Sequence, residues 1–118
     1  MKVPQKIEFT RGDNYFFKFQ RKNANGIITE VPDYLYFSVK DNYNTKNVIF
    51  QKTINNGIVY NEEDTYWHVT INPEDTNYLP YEDYNWDIEV ITPTYKKTLA
   101  RGILTFEKET TFPDNEVK

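Results

Sequence analysis

Apolar and polar residues alternate with a period of two in several short segments of the chain. The clearest segment runs from Tyr84 to Ile91, where Asn85, Asp87 and Glu89 separate the apolar positions. Because successive side chains of a strand point to opposite faces, each such segment is predicted to be a strand with one face buried and the other in water. The residues expected to face the core in the four clearest segments are Tyr15, Phe17 and Phe19, Leu35, Phe37 and Val39, Trp67, Val69 and Ile71, and Tyr84, Trp86, Ile88 and Val90.

Turn signals separate these segments: Asn25-Gly26, Asn44-Thr45, Asn56-Gly57, Asn72-Pro73 and Thr92-Pro93. Asn56-Gly57 favours a type I′ hairpin, because both central residues of that turn need a positive φ. Shorter strands are expected over residues 7–10, 48–54 and 57–61, and a last one carries Leu104 and Phe106. Gly102 is predicted to mark a bulge, since the apolar positions that face inward change from odd-numbered at Leu99 to even-numbered at Leu104.

These segments predict an all-β fold, an immunoglobulin-like antiparallel β-sandwich of about seven or eight strands. A chain of 118 residues is the size of one domain, which we expect over residues 1–111 with a C-terminal tail over residues 112–118. Aromatic residues make up 17% of the chain, which favours strands over helices. There is no cysteine, so packing alone must hold the sandwich together.

Charge and hydropathy narrow the classes of partner. The net charge is -4 and the pI is near 5.0, which argues against a surface that neutralises nucleic-acid phosphates. Lys96, Lys97 and Arg101 are close in sequence but are interpreted as the solvated side of a strand. The first nine residues do not resemble a signal peptide and no run of eighteen apolar residues occurs. We therefore expect a soluble protein made in a cytoplasm, with neither nucleic acid nor membrane as a partner.

A tyrosine corner is the main structural motif expected. In sandwich domains a Tyr two residues before a buried core residue bonds back to the preceding backbone through its hydroxyl. Tyr84 and Trp86 have this spacing, and Asp75 lies in the turn before them. A helical turn over residues 73–76 is the other interpretation of that stretch, and the two are compatible.

The sequence shows no catalytic apparatus. His68 is the only histidine and Ser38 the only serine, and no Gly-x-Ser-x-Gly motif occurs. The paired acids fall at predicted turns, where such side chains usually bond to nearby backbone. We therefore expect no enzyme, no catalytic residue and no cofactor, and an enzyme would require His68 and a carboxylate to converge in a cleft.

Two further motifs have ordinary explanations. Residues 41–44 and 61–64 supply oxygen ligands without the spacing of a calcium loop, so no metal site is expected. Arg11-Gly12-Asp13 matches an integrin-binding tripeptide, but the glycine more simply relaxes the backbone between the first two strands.

Outward aromatic side chains are the best candidates for a binding surface. If the alternation holds, Tyr34, Tyr36, Phe16 and Tyr66 point to solvent, as do Tyr81 and Tyr95. A large exposed apolar patch on a small protein usually marks a contact surface, although single surface tyrosines are common. The interface interpretation is favoured for Tyr34 and Tyr36, which project from one strand on one face. Stacking on a sugar ring is a variant of it.

The order of motifs resembles a known family. The matching segments are Arg11 to Phe19, Phe37 to Lys40, Ile58 after an Asn-Gly turn, Asp75-Thr76, Leu79, Tyr84 to Val90, Thr98-Leu99, and Gly102 with Leu104. Together they resemble the immunoglobulin-like domain at the N-terminus of bacteriophage upper baseplate proteins, found also in short tail-associated phage and prophage proteins. Relatives often have a Gly before the Tyr-x-Tyr-Asp strand, where this chain has residues 80–83, so that loop must be built differently.

This resemblance implies a virion component, assembled in the host cytoplasm, that docks onto other tail or baseplate proteins. The resemblance implies no catalytic residue at any position of this chain. A host surface glycan and a second copy of the chain remain alternative partners.

Overall fold

The computed structural model describes residues 6–41 and 47–107. The predicted Asn44-Thr45 turn, most of the calcium-like stretch over 41–44 and the tail over 112–118 lie outside these residues. The described strands and helix are β1 (Lys6–Thr10), β2 (Tyr15–Phe19), β3 (Lys22–Asn23), β4 (Gly26–Ile27), β5 (Tyr34–Lys40), β6 (Val48–Ile54), β7 (Gly57–Asn61), β8 (Tyr66–Ile71), α1 (Pro73–Thr76), β9 (Tyr84–Ile91) and β10 (Lys96–Glu107). No described helix is long and apolar enough to cross a membrane.

Eight strands form a β-sandwich, as the sequence predicted. Their order is β1-β10-β9-β5-β6-β7-β8-β2, and β3 and β4 form a separate two-stranded ribbon. β6 and β7 pair over only two residues, which is where the sheet folds into two layers. Most neighbours are antiparallel, whereas β1 pairs with β10 and β6 pairs with β7 in parallel. The first layer is therefore β1-β10-β9-β5-β6 and the second is β7-β8-β2.

The core lies between the layers and combines aliphatic with aromatic side chains. Phe17 of β2 meets Phe37 of β5 with ring centroids 5.3 Å apart, and Phe9 stacks on Tyr15 at 4.9 Å. The predicted inward residues of β5, β8 and β9 are all buried. In β2 only Phe19 is fully buried, whereas Tyr15 and Phe17 of the same edge strand are half-buried.

The predicted bulge is present but at another residue. The pairing of β10 with β9 shifts between Thr98 and Ala100, so Leu99 is the extra residue. Gly102 pairs regularly with Trp86. Assigning the bulge to Gly102 was wrong. One extra residue anywhere between Leu99 and Leu104 changes which positions face inward, and a bulge does not need a glycine.

The Asn56-Gly57 turn joins β6 to β7 but is not a type I′ hairpin. Positive φ values occur at Asn55 (65°) and Gly57 (100°), not at Asn56. The Thr53 N–H donates to Asn56 O and the Asn55 N–H to Ile58 O, which turns the chain from one layer into the other. The prediction of a hairpin was wrong because β6 and β7 belong to different layers.

Tyr84 forms the hydrogen bond of a tyrosine corner. Its hydroxyl donates to Pro80 O at 2.8 Å, and Trp86, two residues later, donates its Nε1–H to Ile103 O at 3.2 Å. Asp75 sits in α1, where its Oδ2 accepts the Asn72 N–H at 2.8 Å. Both interpretations of this stretch are therefore present, a helical turn followed by the tyrosine.

Candidate functional site

Tyr34 and Tyr36 form a stacked aromatic pair on the outer face of the first layer. They lie two residues apart on β5, so both side chains leave the same face of the strand. The ring centroids are 5.9 Å apart and the ring planes differ by 7°. Tyr34 is 55% exposed, whereas Tyr36 is half-buried. We call this pair the Tyr34–Tyr36 surface.

A shallow cleft of about 360 Å³ lies beside this surface. Besides the two tyrosines, its lining residues are Asp33, Leu35, Thr53 and Ile54. On the other side, Ile91 of β9 pairs directly with Tyr34. The surface is thus an aromatic and aliphatic centre with Asp33 and Thr53 as polar groups near it, an arrangement common at contact surfaces.

Phe16 and Tyr66 lie on the opposite face of the sandwich. Both belong to the second layer, Phe16 on β2 and Tyr66 on β8. Phe16 is 66% exposed, while Lys18 Nζ lies 4.6 Å from the centre of the Tyr66 ring. The four aromatics proposed for binding are therefore divided between two surfaces, because their inward neighbours Phe17 and Phe37 meet across the core.

His68 does not stand alone on the sheet. Its Nε2 lies 2.8 Å from Asp64 Oδ2, and Lys18 Nζ lies 3.5 Å from the same oxygen. Desolvation raises the pKa of Asp64, but the Tyr66 N–H, His68 and Lys18 together hold this pKa below its usual value. Asp64 was not predicted as a partner of His68, although its spacing of four residues from His68, across a turn into β8, was a signal.

The Asp64–His68 pair does not assemble into a nucleophilic site. The His68 side chain is 41% exposed, beside a cleft of about 340 Å³ that also includes Phe16, Lys18 and Thr70. Within the described residues no serine or threonine hydroxyl is hydrogen-bonded to the imidazole. A triad needs a hydroxyl or thiol bonded to the histidine, so this geometry is that of a hydrogen-bonded pair at the surface.

The oxygen-rich stretch over 61–64 and the integrin-like motif over 11–13 both form local hydrogen bonds. Asn61 Oδ1 accepts the N–H groups of Glu63 and Asp64, and the described residues contain no group of three acidic or histidine side chains that could hold a metal. Arg11 Nη1 donates to Leu79 O at 2.8 Å, and the Gly12 N–H donates to a threonine hydroxyl. The connection between β1 and β2 is therefore hydrogen-bonded to α1 and to the segment that follows it.

No protein-family model matches the chain, and no curated protein matches it. Among solved structures it is similar to a chain described as "NK cell receptor Nkp44, a triggering partner in natural cytotoxicity". The fold is immunoglobulin-like. The two chains share 9% sequence identity and a TM-score of 0.50, over 90% of this chain and 100% of the other. At this identity the similarity shows the fold alone, and it confirms the predicted immunoglobulin-like β-sandwich.

Proposed function

We propose that the chain is a non-enzymatic structural protein of a bacteriophage virion, an adaptor or assembly module at the tail or baseplate. Two observations support this proposal. The motifs over Arg11 to Leu104 resemble the immunoglobulin-like domain of phage upper baseplate proteins, and the Tyr34–Tyr36 surface offers a place to dock. The assignment to a phage virion depends on the resemblance, and the aromatic surface supports docking through this face.

The Tyr34–Tyr36 surface has the physical properties of a binding hot spot. Tyrosine brings a large apolar ring and a polar hydroxyl at a small cost in side-chain entropy. Stacking at 5.9 Å fixes both rings before any partner arrives, so less freedom is lost on binding. Strand β5 lies between β9 and β6, which gives the pair a rigid support.

Incorporation into virions tests the proposal. We expect the chain to copurify with phage particles, and the double variant Tyr34→Ala/Tyr36→Ala to be incorporated at least about tenfold less, as for loss of a hot spot worth about 1.4 kcal/mol or more. Tyr78→Ala is the matched control, since Tyr78 is 64% exposed and lies outside both surfaces. Absence of the chain from purified particles would refute the proposal.

A carbohydrate-binding module that recognises host surface glycans is the second candidate. The observation in its favour is an exposed Tyr34 ring beside a cleft that also offers the Asp33 carboxylate and the Thr53 hydroxyl. Sugars bind by stacking on aromatic rings and by hydrogen bonds to such polar groups. A glycan array on which the protein binds nothing would remove this candidate. Light scattering would separately show whether the surface joins two copies of the chain.

A further inference from the structure

Arg21 is a buried cation with no acidic partner among the described residues. The residue is 3% exposed and lies just before the β3–β4 ribbon. Its Nη1 donates to Glu30 O at 3.0 Å and its Nη2 to the Tyr95 hydroxyl at 3.1 Å. Within the described part of the chain, no carboxylate oxygen lies within 4.0 Å of the guanidinium. Because arginine does not lose its proton, a full positive charge is held there by two neutral oxygens, which is costly unless an anion compensates it.

This arginine lines a cleft that is rich in positive charge. The cleft has a volume of about 440 Å³ and lies between the β3–β4 ribbon and the turn that joins β9 to β10. Its polar and charged lining residues are Arg21, Lys22, Asn23, Tyr95, Lys96 and Lys97. None of the lining residues is acidic. Four of the residues that line the cleft are cationic, on a protein whose net charge is -4.

Nearby carboxylates neutralise little of the positive charge on the lysines of the cleft. Lys96 Nζ lies 3.9 Å from Glu89 Oε2, but the Lys96 side chain is 66% exposed, and exposed pairs of this kind are weak. Lys22 and Lys97 are exposed and have no carboxylate within 4.0 Å among residues 6–41 and 47–107. The cleft keeps most of its positive charge available to a ligand.

The backbone around the cleft is held in place. Thr92 accepts the Tyr95 N–H through its hydroxyl and donates its own N–H to Tyr95 O, which closes the turn. Leu99, the bulged residue of β10, also lines the cleft. Bulges re-aim neighbouring side chains and are frequent beside functional sites.

We propose that this cleft binds a phosphate-bearing ligand of small-molecule size. A phosphate group carries up to two negative charges and several acceptor oxygens, which four cations and the Tyr95 hydroxyl can engage. A carboxylate would leave most of this charge unused. The volume is larger than one phosphate needs and falls within the usual range of small-ligand sites, so a sugar-sized substituent can be accommodated. The proposal does not rest on the proposed function, since none of the lining residues belongs to the Tyr34–Tyr36 surface.

Titration of the ¹⁵N-labelled full chain tests this site. The probes are inorganic phosphate and glucose 6-phosphate, with glucose and sodium chloride at matched ionic strength as blanks. We expect saturable shifts of the amide signals of Lys22, Lys96 and Lys97, with Kd on the order of 1 mM. Lys22→Gln/Lys97→Gln should weaken binding about tenfold or more, because two charges are lost. Lys6→Gln is the control, as Lys6 is another exposed lysine, on β1.

The outcomes separate specific binding from charge alone. Tighter binding of glucose 6-phosphate supports a sugar phosphate, whereas equal binding of the two probes supports a free phosphate. Shifts that never saturate, or an equal loss in Lys6→Gln, would overturn the proposal. So would tighter binding of a short single-stranded oligonucleotide than of glucose 6-phosphate. Thermal unfolding of each variant checks its fold, and the lysine variants avoid removing the buried arginine itself.

Discussion

Replacing Tyr84 by phenylalanine removes one hydroxyl and leaves the ring in the core. Tyr84 is 1% exposed and its hydroxyl donates to Pro80 O at 2.8 Å. A buried hydrogen bond of this kind contributes about 1 kcal/mol to stability. Pro80 itself is exposed, so water can satisfy its carbonyl in the variant. We expect Tyr84→Phe to lower the free energy of unfolding by about 1 kcal/mol at neutral pH.

The same substitution should behave differently at alkaline pH. Burial, followed by the nearby Glu82 and Asp41 charges, raises the pKa of Tyr84 from 10.0 to about 12. In the unfolded chain the phenol ionises first, so the wild type loses stability as the pH rises from the unfolded to the folded pKa. This loss is about 1.4 kcal/mol by about pH 11. The phenylalanine variant lacks this term, so its deficit should vanish or reverse there.

Denaturant unfolding at about pH 8 and about pH 11 measures both effects. Tyr15 also has a pKa raised by burial, but it is present in both proteins and cancels in the comparison. Tyr78→Phe is the control, since Tyr78 is 64% exposed and its replacement should change nothing at either pH. A deficit of the same size at both pH values would refute the reasoning about the buried phenol.

Further substitutions test three other parts of the fold by chemical unfolding. Gly57→Ala should lower the free energy of unfolding by at least about 2 kcal/mol, because Gly57 has φ +100° and an added methyl group would collide with the Lys52 side chain. An unchanged free energy of unfolding would contradict this close approach. Lys52→Met should lower the free energy of unfolding by about 3 kcal/mol, because it leaves Asp75 without the cation that lies 2.6 Å from it. A double-mutant cycle with Asp75→Asn should show coupling between the two sites. Trp67→Phe should cost about 1 kcal/mol less than Trp86→Phe. The buried Trp67 Nε1–H has no hydrogen-bond partner among the described residues, whereas Trp86 bonds to a backbone carbonyl; equal costs would argue against this.

The strands with one buried face were predictable from the sequence. In β9 every second residue is buried, so a shift of one residue would expose all of the inward side chains. The sequence pattern therefore determines which face of β9 is buried. The outward positions of Tyr34 and Phe16 follow from the same parity. Ser38 also points outward but is 5% exposed, because Gln51 of the neighbouring strand covers it and donates to its hydroxyl.

Features set by pairing between distant segments were not predictable. The parallel pairing of β1 with β10, and the fold of the sheet at β6 and β7, depend on contacts that no local pattern reports. The β3–β4 ribbon was missed because its strands have two residues each, too few to show a period.

The charged groups inside the molecule were only partly foreseeable. Lys52 lies two residues from both Phe50 and Ile54, so the alternation along β6 alone could have shown that its side chain points inward. Arg21 lies outside any alternating segment, and its burial depends on Tyr95, which is 74 residues away in the sequence. The expectation that Lys96 and Lys97 are simply the solvated side of a strand did not foresee that they line a cleft with Arg21.

Photo-crosslinking at the Tyr34–Tyr36 surface is the most direct test of the proposed function. Tyr34→p-benzoylphenylalanine places the reactive group on this surface, and the same change at Val59, which is 53% exposed on the other layer, is the control. Irradiation in host cells during phage assembly should link the first variant to a tail or baseplate protein and leave the second unlinked. Equal crosslinking from both positions, or none from Tyr34, would contradict the account.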